Sequence, residues 1–567
     1  MKRIILFLMM LSCMTLNAQQ QQAKWFQEAK FGIFIHWGLY AGIGYTEWAM
    51  DHFEIQAEEY EKRMNCFNPE HFDANKWADL IKQSGATYVV VTAKHHDGFC
   101  MYDSKYTDYK ITESPCKTDI LKALETACRK RNIKFGIYYS VMDWHHPDYL
   151  PRRSWDQRSA ESADITRYKR YFQNQLDELI QNYSPDILWF DGGWEDTFNA
   201  DEVKQINERI YTLKPDILIN NRLSNNSSGD FKTPESYIPA KGLKDENNQS
   251  VLWETCSTMG DVWGYNPFQN NFYSSRDLIR MLCETSSKGG NFLLNISPDT
   301  KGEIPVEQIK RLKETGLWLK DNKEAIFNTK ASVFDHHPFY GVSTQKDNKI
   351  YLMLYQTEGF IRLPAIKEIQ SVYYLKSGKA LNYQMSEACT IIQTGPFLPD
   401  QDVSVMVVET KQPLVSASYL PKYPPDQVIR LNCFDISVQP ENSQIRFWQY
   451  YQKILTDKWN YATKNDKVFW TFQLEEEGLY QIKLYASSRF EESGEMKAIL
   501  EINNQSENMV IPGLAKWTSL NRGLKQPVTL EALKLPKGLC TIKLSAPDLS
   551  NQQQLLFEKI ELIPVYK

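Results

Sequence analysis

From Phe31 to about Asn322, short apolar runs alternate with stretches whose apolar residues recur every three to four positions. Residues 31–36 read as a strand, and 73–85 then place Trp77, Leu80 and Ile81 on one helical face. The alternation continues with strands at 88–93, 135–140, 187–190 and 217–220 and helices at 119–131, 165–183 and 203–213. Repeated βα units predict a parallel sheet with helices outside it. The polar residues choose between the two common forms. His36, Lys94-His95-His96-Asp97, Asp143-Trp144, Asp191 and Arg222 each follow a predicted strand, as on the catalytic face of a (β/α)8 barrel. A doubly wound sheet would gather such groups at one switch point and open on a Gly-rich turn, which this chain lacks. After Asn322 the helical period stops. Runs such as 349–354 and 403–408, then 468–472, 479–484 and 540–544, are divided by turns and predict antiparallel β-sandwiches, with 420–425 as a linker between them. The expected organisation is a leader over 1–18, a barrel over 19–325, a β-sandwich over 326–419 and a second sandwich over 420–567.

Length supports several domains, since 567 residues exceed the roughly 250–300 at which one core stops growing. A net charge of −5 supplies no basic field for a phosphate backbone, which excludes nucleic acid as an expected partner. The leader reading rests on Lys2-Arg3, the apolar run 4–11 and Leu16-Asn17-Ala18, the marks of a secretory signal peptide. The protein is therefore expected to be exported, to the periplasm or the extracellular space; Cys13 offers the alternative of a lipid anchor. No later stretch reaches about 18 apolar residues, so no integral membrane segment is expected. Nine cysteines remain beyond Cys13, with no CxxC pair and an odd count, which implies buried thiols rather than a disulfide framework.

Retaining cleavage of a glycosidic bond needs two carboxyl groups about 5–5.5 Å apart, one to attack the anomeric carbon and one to protonate the leaving oxygen. Asp191, delivered by the apolar run 187–190 and followed by two glycines that would leave space beyond it, is the candidate nucleophile; its structural alternative is a helix cap. Glu235, in a loop, and Glu254, at an apparent strand end in Trp253-Glu254-Thr255-Cys256, compete for the acid/base role. Neutral imidazoles both donate and accept hydrogen bonds, so His36, His95 and His96 suit sugar hydroxyls. Metal ligation is the rival for the same histidines. Against it, they include an adjacent pair, and adjacent side chains on a strand face opposite ways. His52 and His71 read as structural.

The motifs together resemble family 29 of the glycoside hydrolases, the α-L-fucosidases. The resemblance rests on Lys30-Phe31-Gly32-Ile33-Phe34-Ile35-His36-Trp37-Gly38, Thr46-Glu47-Trp48, Lys94-His95-His96-Asp97-Gly98-Phe99, Tyr138-Tyr139-Ser140 with Asp143-Trp144, Trp189-Phe190-Asp191-Gly192, Thr233-Pro234-Glu235, Trp253-Glu254-Thr255-Cys256 with Trp263-Gly264-Tyr265, and Gly289-Gly290-Asn291. In the family's order, these cover about residues 24–325. The resemblance implies an exo-acting retaining α-L-fucosidase, with Asp191 as nucleophile and Glu235 or Glu254 as acid/base. It further implies His36, Glu47, Trp48, His95, His96, Tyr138, Trp189 and Arg222 as substrate-binding residues, a fucosylated glycan as substrate, and neither cofactor nor metal. The chain departs from the family's pattern at Ser236-Tyr237, where a Gln-Glu pair is common, and at Gly260, where Asn is usual. The second sandwich resembles appended carbohydrate-binding modules by strand pattern. Two other classes stay open at this point: a non-catalytic glycan-binding barrel, and a metal-dependent barrel hydrolase.

Overall fold

The computed structural model describes residues 24–225, 227–387, 389–414, 420–432, 436–439, 460–462, 467–489, 496–503, 505–512, 527–547 and 554–566. The leader and Cys13 lie outside these. The described residues form two compact units. The first runs up to Glu235 and adds Lys244–Phe272 and Gly290–Lys320; the second comprises Ser236–Leu243, Tyr273–Gly289 and the chain from Asp321 onward.

Eight parallel strands build the first unit's centre: β1 Phe31–Ile35, β2 Tyr88–Lys94, β3 Lys134–Ser140, β4 Ile187–Asp191, β5 Leu218–Ile219, β6 Phe231–Lys232, β7 Leu252–Thr258 and β8 Asn291–Ile296. They pair in the order 5-4-3-2-1-8-7-6, and a parallel bridge between Asn220 and Phe231 joins the two ends into a barrel. Helices α1 Ala74–Gln83, α2 Ile120–Arg129, α3 Ile165–Tyr183 and α4 Ala200–Leu213 follow β1 to β4. Their starts are written in the chain. Asp73, Asp119 and Asp164 accept hydrogen bonds from first-turn amides, and Asn199 forms a capping box with Glu202. Asp191 is therefore not a helix cap. The repeat is imperfect: β5 and β6 have two residues each, and no described helix follows either.

The two-residue period of the strands fills the barrel's interior. Phe34, Tyr88, Val90, Tyr138, Ile187, Trp189, Leu218, Phe231, Cys256 and Leu293 form one buried cluster. Gly32 belongs to this layer, because a Cβ there would come within 2.3 Å of the Tyr88 ring. One rung beyond Phe34, Tyr138 and Trp189, the same period yields His36, Ser140 and Asp191.

In the second unit, a four-stranded sheet (Gly341–Lys346, Lys349–Leu354, Ile369–Tyr374, Ser404–Thr410) and a three-stranded sheet (Phe360–Pro364, Tyr383–Met385, Cys389–Gln393) share one core. Two six-stranded, mostly antiparallel sheets from Lys422 to Pro564 enclose another. The predicted linker is in fact part of this sandwich, since Lys422–Tyr423 pairs with Gln473–Leu474 and Tyr423 is buried. Of the eight described cysteines, all free, six are buried. No helix among the described residues is long and apolar enough to cross a membrane.

Candidate active site

At the C-terminal mouth of the barrel, Asp191 ends β4. Its Oδ2 accepts a hydrogen bond from the Tyr138 hydroxyl at 3.0 Å, and its Oδ1 accepts from Arg222 Nη1 at 3.2 Å. His96 Nε2 stands 3.7 Å from Oδ2. Burial, reinforced by the Asp191 charge, pushes the Tyr138 phenol well above its ordinary range, so it stays a donor. The glycines after Asp191 do not simply leave space. Gly192 takes a left-handed conformation, φ 81°, and a Cβ on Gly193 would lie 2.4 Å from the Arg222 carbonyl. They let the β4 turn lie against the chain after β5.

Arg222 is the hub. Its Nη1 also donates to Glu235 Oε2 at 2.7 Å, its Nε to Thr233 Oγ1 at 2.8 Å and its Nη2 to the Thr233 carbonyl at 2.9 Å. The guanidinium carbon sits 4.7 Å from the centre of the Trp189 ring. Because one nitrogen binds both carboxylates, an oxygen of Asp191 and one of Glu235 lie within about 6 Å of each other, the two bonds laid end to end. Glu235 is held by a bridge to Cys256, yet its side chain is 43% exposed.

Glu254 is not at a strand end. It lies inside β7, is wholly buried, and both its oxygens are taken, Oε2 by the Tyr88 hydroxyl and Oε1 by Trp189 Nε1, each at 2.7 Å. Burial raises its carboxyl to about 7. A folded-state value raised from 4.5 means that the stability tied to this group is full below pH 4.5 and is lost as pH rises through 7. Glu254→Gln should flatten the fall of melting temperature between those limits, by on the order of a few degrees. Parallel melting profiles of variant and parent would contradict this.

The three histidines converge. His36 Nδ1 donates to Asn295 Oδ1 (2.7 Å), His96 Nδ1 meets Ser140 Oγ (2.6 Å), and the His95 ring stacks on Tyr138 with centroids 5.2 Å apart. Strand alternation would put His95 and His96 on opposite faces. Instead their rings are 4.3 Å apart, because β2 ends at Lys94 and its register with β3 shifts after Thr92, which ends the alternation. Burial lowers His36 to about 3 and holds His95 and His96 well below the usual imidazole range, so all three are neutral. Among the described residues no group of three or more His, Cys, Asp or Glu is placed to hold a metal ion.

The rim is aromatic. The Trp48 ring meets His96 and Trp144 edge-on at 5.1 Å and lies parallel to Trp194, which is 45% exposed. Glu47 is buried beneath this rim. Its Oε2 accepts from the amides of Trp263 (3.1 Å) and Gly264 (2.8 Å) and from Thr46 Oγ1 (3.0 Å), tying the loop after β1 to the loop after β7. Trp263, 5.0 Å from His36, and Asn295, which bonds both His36 and the Trp263 carbonyl, lie outside the site residues expected from sequence. Asn295 faces inward two rungs after Asn291 of the Gly289-Gly290-Asn291 motif, and the two-residue period could have found it. At Gly260 the side chain of Gln269 fills the space: a Cβ on residue 260 would overlap it, and its Oε1 accepts from the Asp261 amide.

Lys94, the last residue of β2, and Asp143, just after β3, do not enter this mouth. They form a fully buried pair at 2.9 Å, with Lys94 Nζ among the rings of Tyr139, Tyr168 and Tyr171. His52 and His71 are exposed, the former against Tyr45 and Phe53, the latter bonded to Glu303.

A sequence profile described as alpha-L-fucosidase matches residues 12–324, more than half of the chain. Human plasma alpha-L-fucosidase is 34% identical over 348 residues, covering 56% of this chain and 71% of that protein. The chain belongs to the α-L-fucosidase family. Among solved structures of the family, the enzyme from Vibrio sp. strain EJY3 superposes with a TM-score of 0.78 at 27% identity, covering 97% of this chain and 98% of that one. Another, a family 29 α-L-fucosidase of Bacteroides thetaiotaomicron captured as a covalent intermediate with 2-fluoro-fucosyl fluoride, gives 0.62 at 27%, covering 68% and 95%. Family membership fits the parallel barrel and the antiparallel sheets that follow it in the chain.

Proposed function

We propose that this protein is an exo-acting retaining α-L-fucosidase that removes terminal α-L-fucosyl residues from glycans by double displacement. The observation that supports the residue assignment is Arg222 shared between Asp191 and Glu235, which keeps an oxygen of each within about 6 Å of the other, a range compatible with retaining cleavage. Asp191 attacks the anomeric carbon and the glycosidic C–O bond breaks, while Glu235 gives its proton to the departing oxygen. The product of this step is a fucosyl ester on Asp191. Glu235, now a carboxylate, takes a proton from water as that water attacks the same carbon, and Asp191 leaves. Two inversions restore the α configuration.

The surroundings suit this chemistry. Arg222 and Tyr138 hold Asp191 aimed, each donating to one of its oxygens. Neutral His36, His95 and His96 present donors and acceptors to the sugar hydroxyls without adding positive charge beside the oxocarbenium-like transition state. Trp263 and Trp48 offer apolar faces, one of which would meet the methyl group of L-fucose. Glu254 acts through Trp189, whose ring underlies Arg222, and Glu47 acts through Trp263; both are positioning residues. Residues 1–18 would direct export to the periplasm or beyond, with lipidation at Cys13 as the variant form. Residues 326–419 and 420–567 form the two appended sandwiches in this reading.

With an aryl α-L-fucoside and no added metal, proton NMR should find α-L-fucose as the first-formed anomer, mutarotating later toward the equilibrium mixture. First appearance of the β anomer would remove the covalent mechanism.

A further inference from the structure

Two loops at the barrel mouth carry large rings that stay open to solvent. After β1, Tyr45 and Phe53 leave 44% and 48% of their surface exposed, and after β7 Phe268 leaves 85%. The Tyr45 ring packs against His52 and Phe53, with centroids 4.9 and 5.2 Å away. The two loops are joined at this place. Asn266 Nδ2 donates to the Tyr45 carbonyl at 3.3 Å, the Phe268 amide donates to Asn266 Oδ1 at 2.9 Å, and a Cβ on Gly44 would stand 3.0 Å from Pro267 Cδ. Glu47, two residues beyond Tyr45, fastens the same loops through the amides of Trp263 and Gly264. The rings therefore sit on a fixed frame, and exposed apolar groups gathered beside a site mark a surface that takes a ligand.

The reaction indicates what that ligand is, an inference that rests on the double-displacement reading above. Asp191 attacks the anomeric carbon from the side opposite the breaking bond, so the leaving sugar points away from β4. In the closed ring of strands β8 stands across from β4, flanked by β1 and β7. Glu235, which protonates the leaving oxygen, follows β6, and its backbone bridges Cys256 of β7. The line of departure and the position of the acid thus select the same loops, those after β7 and β1. Trp194, another exposed ring of the rim, comes directly after β4 and so belongs to the nucleophile's side. Uncharged rings suit the C–H face of a neutral pyranose, whereas an acidic sugar would call for cations.

We propose that Tyr45, Phe53 and Phe268 form a leaving-group subsite, a platform for the neutral hexose or N-acetylhexosamine to which the fucose is attached. Through it the enzyme distinguishes a fucosylated glycan from a simple fucoside, by binding the part that departs.

The test measures kcat/KM of the full-length protein for two substrates. One is methyl α-L-fucoside; the other is whichever of the fucosyl-galactose and fucosyl-N-acetylglucosamine disaccharides the parent cleaves fastest. Methanol and a sugar alcohol are leaving groups of similar pKa, so the ratio of the two constants reports the binding of the second ring. Phe268→Ala, at a side chain too exposed to endanger the fold, should lower the disaccharide-to-methyl ratio by about 3- to 10-fold, and Phe268→Tyr should keep it. Tyr45→Ala combined with Phe53→Ala should lower it likewise. An unchanged ratio in either alanine variant overturns the subsite and leaves the fucosidase reading intact. A fall confined to Trp194→Ala would overturn it too, by placing the leaving sugar over β4. If Phe268→Ala instead abolishes self-association in the ultracentrifuge with the ratio unchanged, the patch is an interface between copies of the chain. A parent that cleaves neither substrate removes the activity on which the subsite rests, and the subsite with it.

Discussion

Asp191→Gly should lower turnover of aryl α-L-fucosides at least about a thousandfold, since losing a nucleophile removes the covalent route rather than slowing one step of it. The variant removes a partly buried carboxylate but leaves Arg222 its bonds to Glu235 and Thr233, so the mouth of the barrel keeps a folded hub. Sodium azide should restore part of the activity. The small anion enters the space the carboxylate vacated, forms a bond to the anomeric carbon and displaces the aryloxide, which leaves with the electron pair of the broken bond. One displacement inverts the centre, so the product is β-L-fucosyl azide. Turnover close to that of the parent would show that another group attacks. Rescue giving the α-azide would show that a covalent intermediate still forms and that Asp191 is not its site.

How much of this is legible in the chain follows from which physical constraints are local. The two-residue period places His36 and Asp191 one rung above Phe34 and Trp189, and an aspartate before each of α1 to α3 marks a helix start; both are readable from neighbouring residues. Glu254 is not readable in this way. A glutamate in an apolar run resembles a strand end, and what lets it sit inside β7 is two donors brought by the fold, Tyr88 from 166 residues away and Trp189 from 65. Lys94 and Asp143 mislead in the opposite sense. They stand at or just after strand ends, as site residues do, but they are buried as a structural ion pair among Tyr rings. The His95-His96 pair escapes the alternation rule because that rule holds only as far as the strand, which stops at Lys94. β5 and β6 leave almost no periodic signal at two residues each, and the Asn220–Phe231 bridge, with the Asp230 amide donating to the Ile219 carbonyl, shows that the ring closes there.

The two glutamates should separate by leaving group. An acid matters most when the departing oxygen is a poor leaving group, and for a low-pKa phenol it matters little. Glu235 is the candidate for that acid, since it is partly exposed and bound to the arginine that also binds Asp191. Glu235→Ala should therefore cut hydrolysis of natural fucosylated oligosaccharides by about 100- to 10,000-fold, and that of activated aryl fucosides by much less in the first step. With the base also gone, the fucosyl-enzyme should accumulate, and azide should speed its breakdown to α-L-fucosyl azide through a second inversion. Glu254→Ala should behave otherwise. It opens a cavity inside the barrel and orphans Trp189 Nε1 and the Tyr88 hydroxyl, at about 1–3 kcal/mol each. The loss passes through Trp189 to Arg222, so both substrate classes should slow by similar factors, the melting temperature should fall, and azide should rescue nothing. If leaving-group dependence and azide acceleration appear in Glu254→Ala and are absent in Glu235→Ala, the buried glutamate is the acid/base. Its proton would then have to pass through the Tyr88 hydroxyl, because both oxygens of Glu254 are already engaged and the Trp189 indole can only donate.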